Sequence, residues 1–330
     1  MKIGLTYDLK EEYLALGFSE EETAELDKPA TIEGVEAALR ANGWETERVG
    51  NHLALMAALA AGRRWDLVFN IAEGLRGLGR ESLAPCLLDA FDIPYTFSDP
   101  MVLALSLHKG MCKRAVRDAG VPTAPFLVVE RLEDLEHLAL RFPLFAKPVA
   151  EGTGKGISAA SRIGDREALL CACDDLLRRF GQPVLVEEFL PGREFTVGVL
   201  GTGRAAHPVA VMEVLFREKG TIYSYETKEN YLERVDYALA DDPALEKSVA
   251  DVALGAWRAL GCRDGGRVDV RLDDRDRPMF IEVNPLAGLN PIDSDLPIMC
   301  RLIGRPYEEL IGEIVRSALS RIEDARRRPA

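Results

Sequence analysis

The clearest alternation of apolar and polar positions lies in Gly266-Arg267-Val268-Asp269-Val270-Arg271-Leu272 and, after the turn-rich residues 273–278, in Met279-Phe280-Ile281-Glu282-Val283-Asn284-Pro285. Period-two alternation on both sides of a turn predicts a β-hairpin with one face in a core. Pairing Leu272 with Met279 sets Asp269 opposite Glu282 and Arg267 opposite Asn284, with Val268, Val270, Ile281 and Val283 filling the other face. Carboxylates facing each other across a ladder repel, so this register asks for a cation or a proton between them. Two carboxylates and an amide suit Mg²⁺ that bridges phosphates, because that ion takes one or two protein carboxylates and leaves its other positions to water and substrate. A plain solvated hairpin face fits the same alternation.

Upstream, strand and helix patterns alternate. Strands are predicted over 3–7, 45–49 and 65–71, the last nearly all apolar and so suited to a buried parallel sheet. Helices over 31–41, 52–61 and 81–91, with a closing strand at 93–96, complete a small doubly wound unit. Its glycine-rich stretch from Ala72 to Arg80 follows a strand end, where ligands of open α/β sheets bind; a plain connection is the alternative. One helix over 100–119, carrying His108 and Lys109, and a proline-bearing linker lead into an α+β unit, with strands at 126–129, 144–149, 157–161 and 184–189 and helices at 132–141 and 166–180. Long strands at 194–200 and 207–215, a polar and tyrosine-bearing stretch 217–234, a helix over 243–260 and the hairpin make up the rest. The expected class is α/β and α+β, divided as 1–100, 101–190 and 191–330, with a frayed arginine-rich tail.

Charge narrows the partners. With 54 acidic and 41 basic residues, the net charge of −13 opposes a nucleic-acid surface, and any bound polyphosphate needs lysines and arginines gathered locally. The six cysteines show neither C-x-x-C nor zinc spacing, which predicts reduced buried thiols. No apolar run approaches the roughly 18 residues that would span a bilayer, and the N-terminus has no signal-peptide core, so the sequence reads as cytoplasmic, with no membrane partner.

Phe145-Ala146-Lys147-Pro148, followed by Glu151-Gly152-Thr153-Gly154-Lys155-Gly156-Ile157, puts a lysine at a strand end before a glycine loop. Backbone N–H groups of such a loop can cradle phosphates while the lysine supplies charge, although the P-loop spacing is absent and a hairpin turn is the bland alternative. The strand end Val184-Leu185-Val186-Glu187-Glu188-Phe189-Leu190 offers an apolar wall with carboxylates for a base amine and ribose hydroxyls, or a solvated edge. Residues 221–234 suit a lid, or a surface loop.

In this order the stretches resemble the ATP-grasp superfamily and, within it, the D-alanine–D-alanine ligases, well from about 103 to 310 and more loosely before. The resemblance implies an ATP-grasp fold with an N-terminal Rossmann-like substrate domain and two subdomains clamping ATP. Lys109 would contact ATP, while Lys147 and the loop Glu151, Gly152 and Thr153 would hold its phosphates. Glu187, Glu188, Phe189 and Leu190 would meet adenine, and Glu194 the ribose. Lys228 in the lid would reach the γ-phosphate, and Asp269, Glu282 and Asn284 would ligate one or two Mg²⁺, with Mn²⁺ as a substitute. Arg267 and the backbone N–H near Gly288 would stabilise an oxyanion, and Ser294 would take a substrate carboxylate. The implied chemistry is amide formation from an amino acid or small peptide through an acyl phosphate, with dimers usual in the family.

The departures fall in the amino-acid half. The glycine-serine loop with its glutamate is missing after Tyr7, the histidine-glycine pattern is replaced by Asn70-Ile71-Ala72-Glu73-Gly74, and Thr153 replaces a serine. Glu229 stands where a tyrosine follows the lid lysine, the loop 290–294 is one residue longer, and Asp295 replaces an apolar residue. A ligase of other amino acids or peptides, and a non-catalytic nucleotide-binding protein, are the alternative readings.

Overall fold

The computed structural model describes residues 1–216 and 235–327, so the lid stretch with Lys228 and Glu229, and the last three residues, lie outside the described residues. Three sheets organise the chain. In the first, β1 (Lys2–Tyr7) lies between β2 (Glu45–Gly50) and β3 (Leu67–Ile71), all parallel. Helices α1 (Lys10–Ala15), α2 (Pro29–Ala41), α3 (His52–Ala60) and α4 (Leu83–Ala90) accompany it. β3 is buried at every position, as its apolar run requires. The expected closing strand at 93–96 is only a bridge: Val68 donates to the Pro94 carbonyl at 2.8 Å and Thr96 to Val68 at 2.9 Å. Pro94 has no N–H with which to extend the ladder.

The helix expected over 100–119 is two, α5 (Pro100–Leu107) and α6 (Lys109–Asp118). The break is at His108, whose imidazole accepts the Met111 N–H at 3.2 Å, while the Lys109 N–H leaves the helix to bond Val149 O at 3.0 Å. A side-chain cap and a tertiary hydrogen bond thus override a continuous apolar pattern. The second sheet, ordered β4-β7-β5-β6, comprises β4 (Phe126–Val129), β5 (Leu144–Pro148), β6 (Arg162–Ile163) and β7 (Val184–Glu188), backed by α7 (Arg166–Phe180). Two further expectations fail here. Residues 132–137 form a 3₁₀ helix instead of an α-helix, and 157–161 turn through a Ser158-capped 3₁₀ segment before the two-residue β6.

The third sheet, ordered β10-β9-β8-β11-β12, contains β8 (Glu194–Leu200), β9 (His207–Phe216), β10 (Val235–Leu239), β11 (Gly265–Leu272) and β12 (Pro278–Asn284). Helix α8 (Pro243–Leu260) buries Trp257 against it, and α9 (Asp295–Leu302) and α10 (Tyr307–Arg327) close the chain. The hairpin register is corrected in part. Leu272 pairs with Pro278 and Arg271 with Met279, and a bulge between Asp269 and Val270 restores Asp269 opposite Glu282 and Arg267 opposite Asn284. The extra residue is Ile281, so Phe280, not Ile281, joins Val268, Val270 and Val283 in the core. A bulge re-aims one side chain without moving the ladder beyond it.

One core spans both chain ends: Ile3, Leu5 and Phe69 pack with Leu310, Ile311 and Ile314 of α10. Asp264, fully buried at a positive φ of 64°, ties the same parts together. Its carboxylate accepts the Phe97 N–H at 2.9 Å, the Thr202 hydroxyl at 3.1 Å and the Ser317 hydroxyl at 3.0 Å, and pairs with Arg321 at 2.8 Å. Removing it strands the Arg321 cation and three donors, so Asp264→Ala is expected to cost on the order of 3 kcal/mol. A urea midpoint equal to that of the parent protein would contradict this.

Candidate active site

The alternation of β11 and β12 puts Val268 and Val283 inward and turns Asp269 and Glu282 together on the polar face. The charge that their register demands is supplied by basic side chains from other elements. Lys147, at the end of β5, brings Nζ to 3.2 Å from Glu282 Oε2 and 3.8 Å from Glu187 Oε1. Lys109, at the helix break, lies 3.6 Å from the same Glu282 oxygen and donates to Glu151 O at 2.6 Å. Across the ladder, Arg267 pairs with Asp295 and stands 3.6 Å from Asp269, and Asn284 Nδ2 donates to Asp269 at 3.3 Å. Burial alone would raise the Glu282 carboxyl, but Lys109, Lys147 and Arg267 hold it well below the usual carboxylate range. Glu282 is therefore ionised at neutral pH.

Two carboxylates and the Asn284 amide oxygen form an all-oxygen donor set fitting Mg²⁺. Among the described residues no three Asp, Glu, His or Cys side chains gather into a closed metal cage. An ion shared between protein and phosphates needs only a partial set of this kind.

Between the second and third sheets lies a cleft of about 110 Å³. Ile157, Phe189, Leu190 and the bulged Ile281 give it apolar walls, and Lys147, Glu194, Asp269 and Glu282 its polar end. The Phe189 ring is flanked by Arg162 at 4.6 Å and Arg271 at 5.3 Å. Glu194 pairs with Arg271 at 3.0 Å, and burial still raises its carboxyl. Glu188 is forked by Arg141, whose hydrogen bonds lower its pKa. Glu187, 4% exposed, lines the cleft but is held by the wholly buried Lys113 at 2.8 Å.

The glycine loop is tethered to the N-terminal unit. Glu25 Oε1 accepts the Gly152 N–H at 2.9 Å and pairs with Lys155 at 2.9 Å, while its other oxygen pairs with Arg80 at 2.7 Å. Arg80 also donates to Ala150 O at 3.0 Å. A carboxylate thus occupies an N–H that can receive a phosphate oxygen. Thr153 takes a positive φ of 48°, and its buried hydroxyl has no hydrogen-bond partner among the described residues, as a loop shaped for an absent polar ligand would show. The Glu151 side chain binds Gln182 at 2.7 Å and Lys155 at 2.6 Å.

On the other side of the hairpin opens a cavity of about 280 Å³, lined by the N-terminal unit and the loop after β12. Gly288 and Ser294 meet there: a Cβ at Gly288 would lie 2.8 Å from Ser294 Oγ, which accepts the Asn290 N–H at 3.0 Å. Thr153, Arg267, Glu282 and Asp295 border both the cleft and the cavity. The structure therefore brings together every candidate named from the sequence except Lys228, which lies outside the described residues. Sequence reasoning missed Glu25, Arg80, Lys113 and Lys155 as parts of the site. Lys113 could have been found one helical turn beyond Lys109, whereas Glu25 and Arg80 are joined to the loop only by tertiary folding.

A family model described as the D-ala D-ala ligase C-terminus matches residues 115–316. The chain belongs to the D-alanine–D-alanine ligase family. It is 35% identical over 298 residues to the D-alanine–D-alanine ligase of Bordetella petrii, which covers 89% of this chain and 88% of that protein. The fold matches the D-alanine–D-alanine ligase of Bacillus anthracis complexed with ATP, with a TM-score of 0.75 at 21% identity over 98% of this chain and 99% of that one. It also matches the VanG D-Ala:D-Ser ligase of Enterococcus faecalis, with a TM-score of 0.72 at 19% identity over 96% and 99%. This family is ATP-dependent, and the two-sheet clamp around the cleft is its ATP-grasp fold.

Arg80 and Lys155 outweigh burial and bring the Glu25 carboxyl down to about 2, below the unfolded value of about 4.3. The tether thus stabilises the fold above the unfolded pKa, and the contribution disappears as pH falls from about 4.5 towards 2. The parent protein is expected to melt above Glu25→Gln at pH 7, with most of that gap gone by about pH 2.5. A gap of equal size at both pH values would contradict the assignment.

Proposed function

We propose that the chain is an ATP-dependent carboxylate–amine ligase that forms a peptide bond through an acyl phosphate, in the manner of a D-alanine–D-alanine ligase. The observation that carries this reading is the meeting of the cleft between the second and third sheets and the second cavity at Thr153, Arg267, Glu282 and Asp295. A phosphoryl donor on one side and a carboxylate on the other would touch there, among Lys147, Lys109 and Arg267.

In this reading Lys147 and Lys109 hold the phosphates, with the N–H groups of the glycine loop taking over from the Glu25 carboxylate. Asp269, Glu282 and Asn284 would hold Mg²⁺, one ion or two, with Mn²⁺ as a substitute, which would supply charge neutralisation for the transferring phosphoryl group. A substrate carboxylate attacks the γ-phosphorus and ADP leaves; an amine then attacks the acyl carbon, and the tetrahedral oxyanion collapses to the amide and phosphate. Arg267 presents several N–H donors, so it can keep Asp295 and still meet the oxyanion together with the Gly288 N–H. Ser294 orients a substrate carboxylate, Lys228 reaches the γ-phosphate, and Phe189, Leu190, Glu187, Glu188 and Glu194 hold the nucleoside. The blocks 1–100, 101–190 and 191–330 then serve substrate, nucleotide and catalysis. A cytoplasmic homodimer acting in cell-wall formation completes the proposal; among the described residues no helix is long and apolar enough to cross a membrane.

The alternatives differ by measurement. Phosphate release from Mg-ATP against single and paired D- and L-amino acids, with products identified by mass, should give a dipeptide and ADP; ATP binding with no release for any pair would favour the non-catalytic reading. Asp269→Ala and Glu282→Ala should each lower release at least ~100-fold with unchanged circular dichroism, and Arg267→Ala should lower kcat about 10²–10³-fold. Turnover within a factor of two of the parent in any of the three would remove that residue from the mechanism.

A further inference from the structure

Lys113, one helical turn beyond Lys109 on α6, is 0% exposed, and its side chain lines neither the cleft nor the cavity. Its ammonium carries three N–H donors and has three polar neighbours: the Thr123 hydroxyl at 2.8 Å, the Phe280 carbonyl at 3.2 Å and Glu187 Oε2 at 2.8 Å. The Thr123 hydroxyl donates to the same Phe280 carbonyl at 2.8 Å, which closes a triangle of hydrogen bonds anchored on β12. That shell leaves the ammonium nothing to offer a nucleotide directly. What it holds is Glu187, the only charged member of the shell, and a buried cation of this kind is tolerated because its partner is an anion.

Glu187 keeps one oxygen in reserve. Oε1 accepts no hydrogen bond among the described residues; Lys147 stands 3.8 Å away, beyond hydrogen-bond reach, and the side chain lines the cleft between the second and third sheets. A carboxylate oxygen so placed can only accept. Burial alone would raise the Glu187 carboxyl, but Lys113 and then Lys147 hold it below the usual carboxylate range. Ile157, Phe189, Leu190 and Ile281 line the same cleft and suit the faces of a base.

We propose that Lys113 is a positioning residue for base selectivity: it pins the Glu187 carboxylate so that the cleft takes a nucleotide whose base presents an amine there and turns away one that presents a carbonyl. This rests on the ligase reading of the cleft and adds what selects its nucleotide. Adenine has an N6 amine to donate to the open oxygen. Guanine and hypoxanthine carry an acceptor, O6, at the same ring position, so two acceptors would face each other and the buried carboxylate would be left unpaired. Without the Lys113 cation, Glu187 would lose its anchor and burial would favour its protonated form, which can donate to O6 as well as accept from N6.

The test is the ratio of affinities for ATP and inosine triphosphate, whose base carries O6 and an N1 proton in place of the N6 amine, measured by calorimetry with Mg²⁺ on the full-length protein and repeated as kcat/KM in phosphate release. The parent is expected to prefer ATP by at least about tenfold, as the loss of a hydrogen bond to a buried charge requires. Lys113→Gln keeps a donor for Thr123 and Phe280 and removes only the charge; it should narrow the preference to about threefold or less. The double variant Lys113→Gln/Glu187→Gln, in which neither partner is left as an unpaired buried ion, should do the same and covers the case in which the single variant fails to fold. A merely structural role for Lys113 would weaken both nucleotides alike and leave the ratio at its parent value. That result in either folded variant, or a parent protein that binds ATP and inosine triphosphate equally, would overturn the proposal and leave the ligase reading standing. Binding of neither nucleotide to the parent would overturn both.

Discussion

The structure depends on the repulsion between Asp269 and Glu282. Strand alternation forces the two carboxylates onto one face of the hairpin, where only Arg267 and the Asn284 amide of the neighbouring rung stand beside Asp269. The further compensation comes from far away in the chain: Lys147 from the second sheet and Lys109 from the break between α5 and α6. Bringing two lysines to one carboxylate is itself unfavourable without the anion between them. The three parts of the chain therefore meet at a cluster of closely opposed charges.

The rest of the fold keeps those groups in place. The bulge at Ile281 lets the ladder hold Asp269 against Glu282 while pushing one apolar side chain into the nucleotide cleft. The kink at His108 aims Lys109 at Glu151 and Glu282, which a continuous helix would not do. Asp264 and the shared core beneath α10 fix the N-terminal sheet against the third sheet, so that the cavity walls come from both. Glu25 adds a tether between the N-terminal unit and the glycine loop.

Much of this was legible in the sequence, because alternation and apolar runs are local. The helices over 166–180 and 243–260, the strand over 194–200 and the opposition of Asp269 to Glu282 follow from period and caps alone. Even there the turn was misplaced by one residue, and the bulge cancelled the slip; periodicity does not reveal an inserted residue when both neighbours are apolar. The failures have two causes. The 3₁₀ turns near 132 and 159 are fixed by local caps from Asp134, Ser158 and Ser161. The break at His108 and the lone bridge at Pro94 are set by a hydrogen bond to distant backbone or by a missing donor. Glu25, Arg80 and Lys155 were invisible as a cluster for the same reason: only the fold brings them together. The rewritten amino-acid half was visible as departures from the family pattern.

The central claim is that a carboxylate and the terminal phosphoryl of ATP react at the junction marked by Glu282 and Arg267. It is tested most directly with a substrate carrying ¹⁸O in its carboxylate, turned over with Mg-ATP, with the released phosphate weighed by mass spectrometry. An acyl phosphate route predicts one ¹⁸O transferred to phosphate for every amide formed. Amide formation with unlabelled phosphate, or phosphate labelled only from ¹⁸O-water, would contradict it.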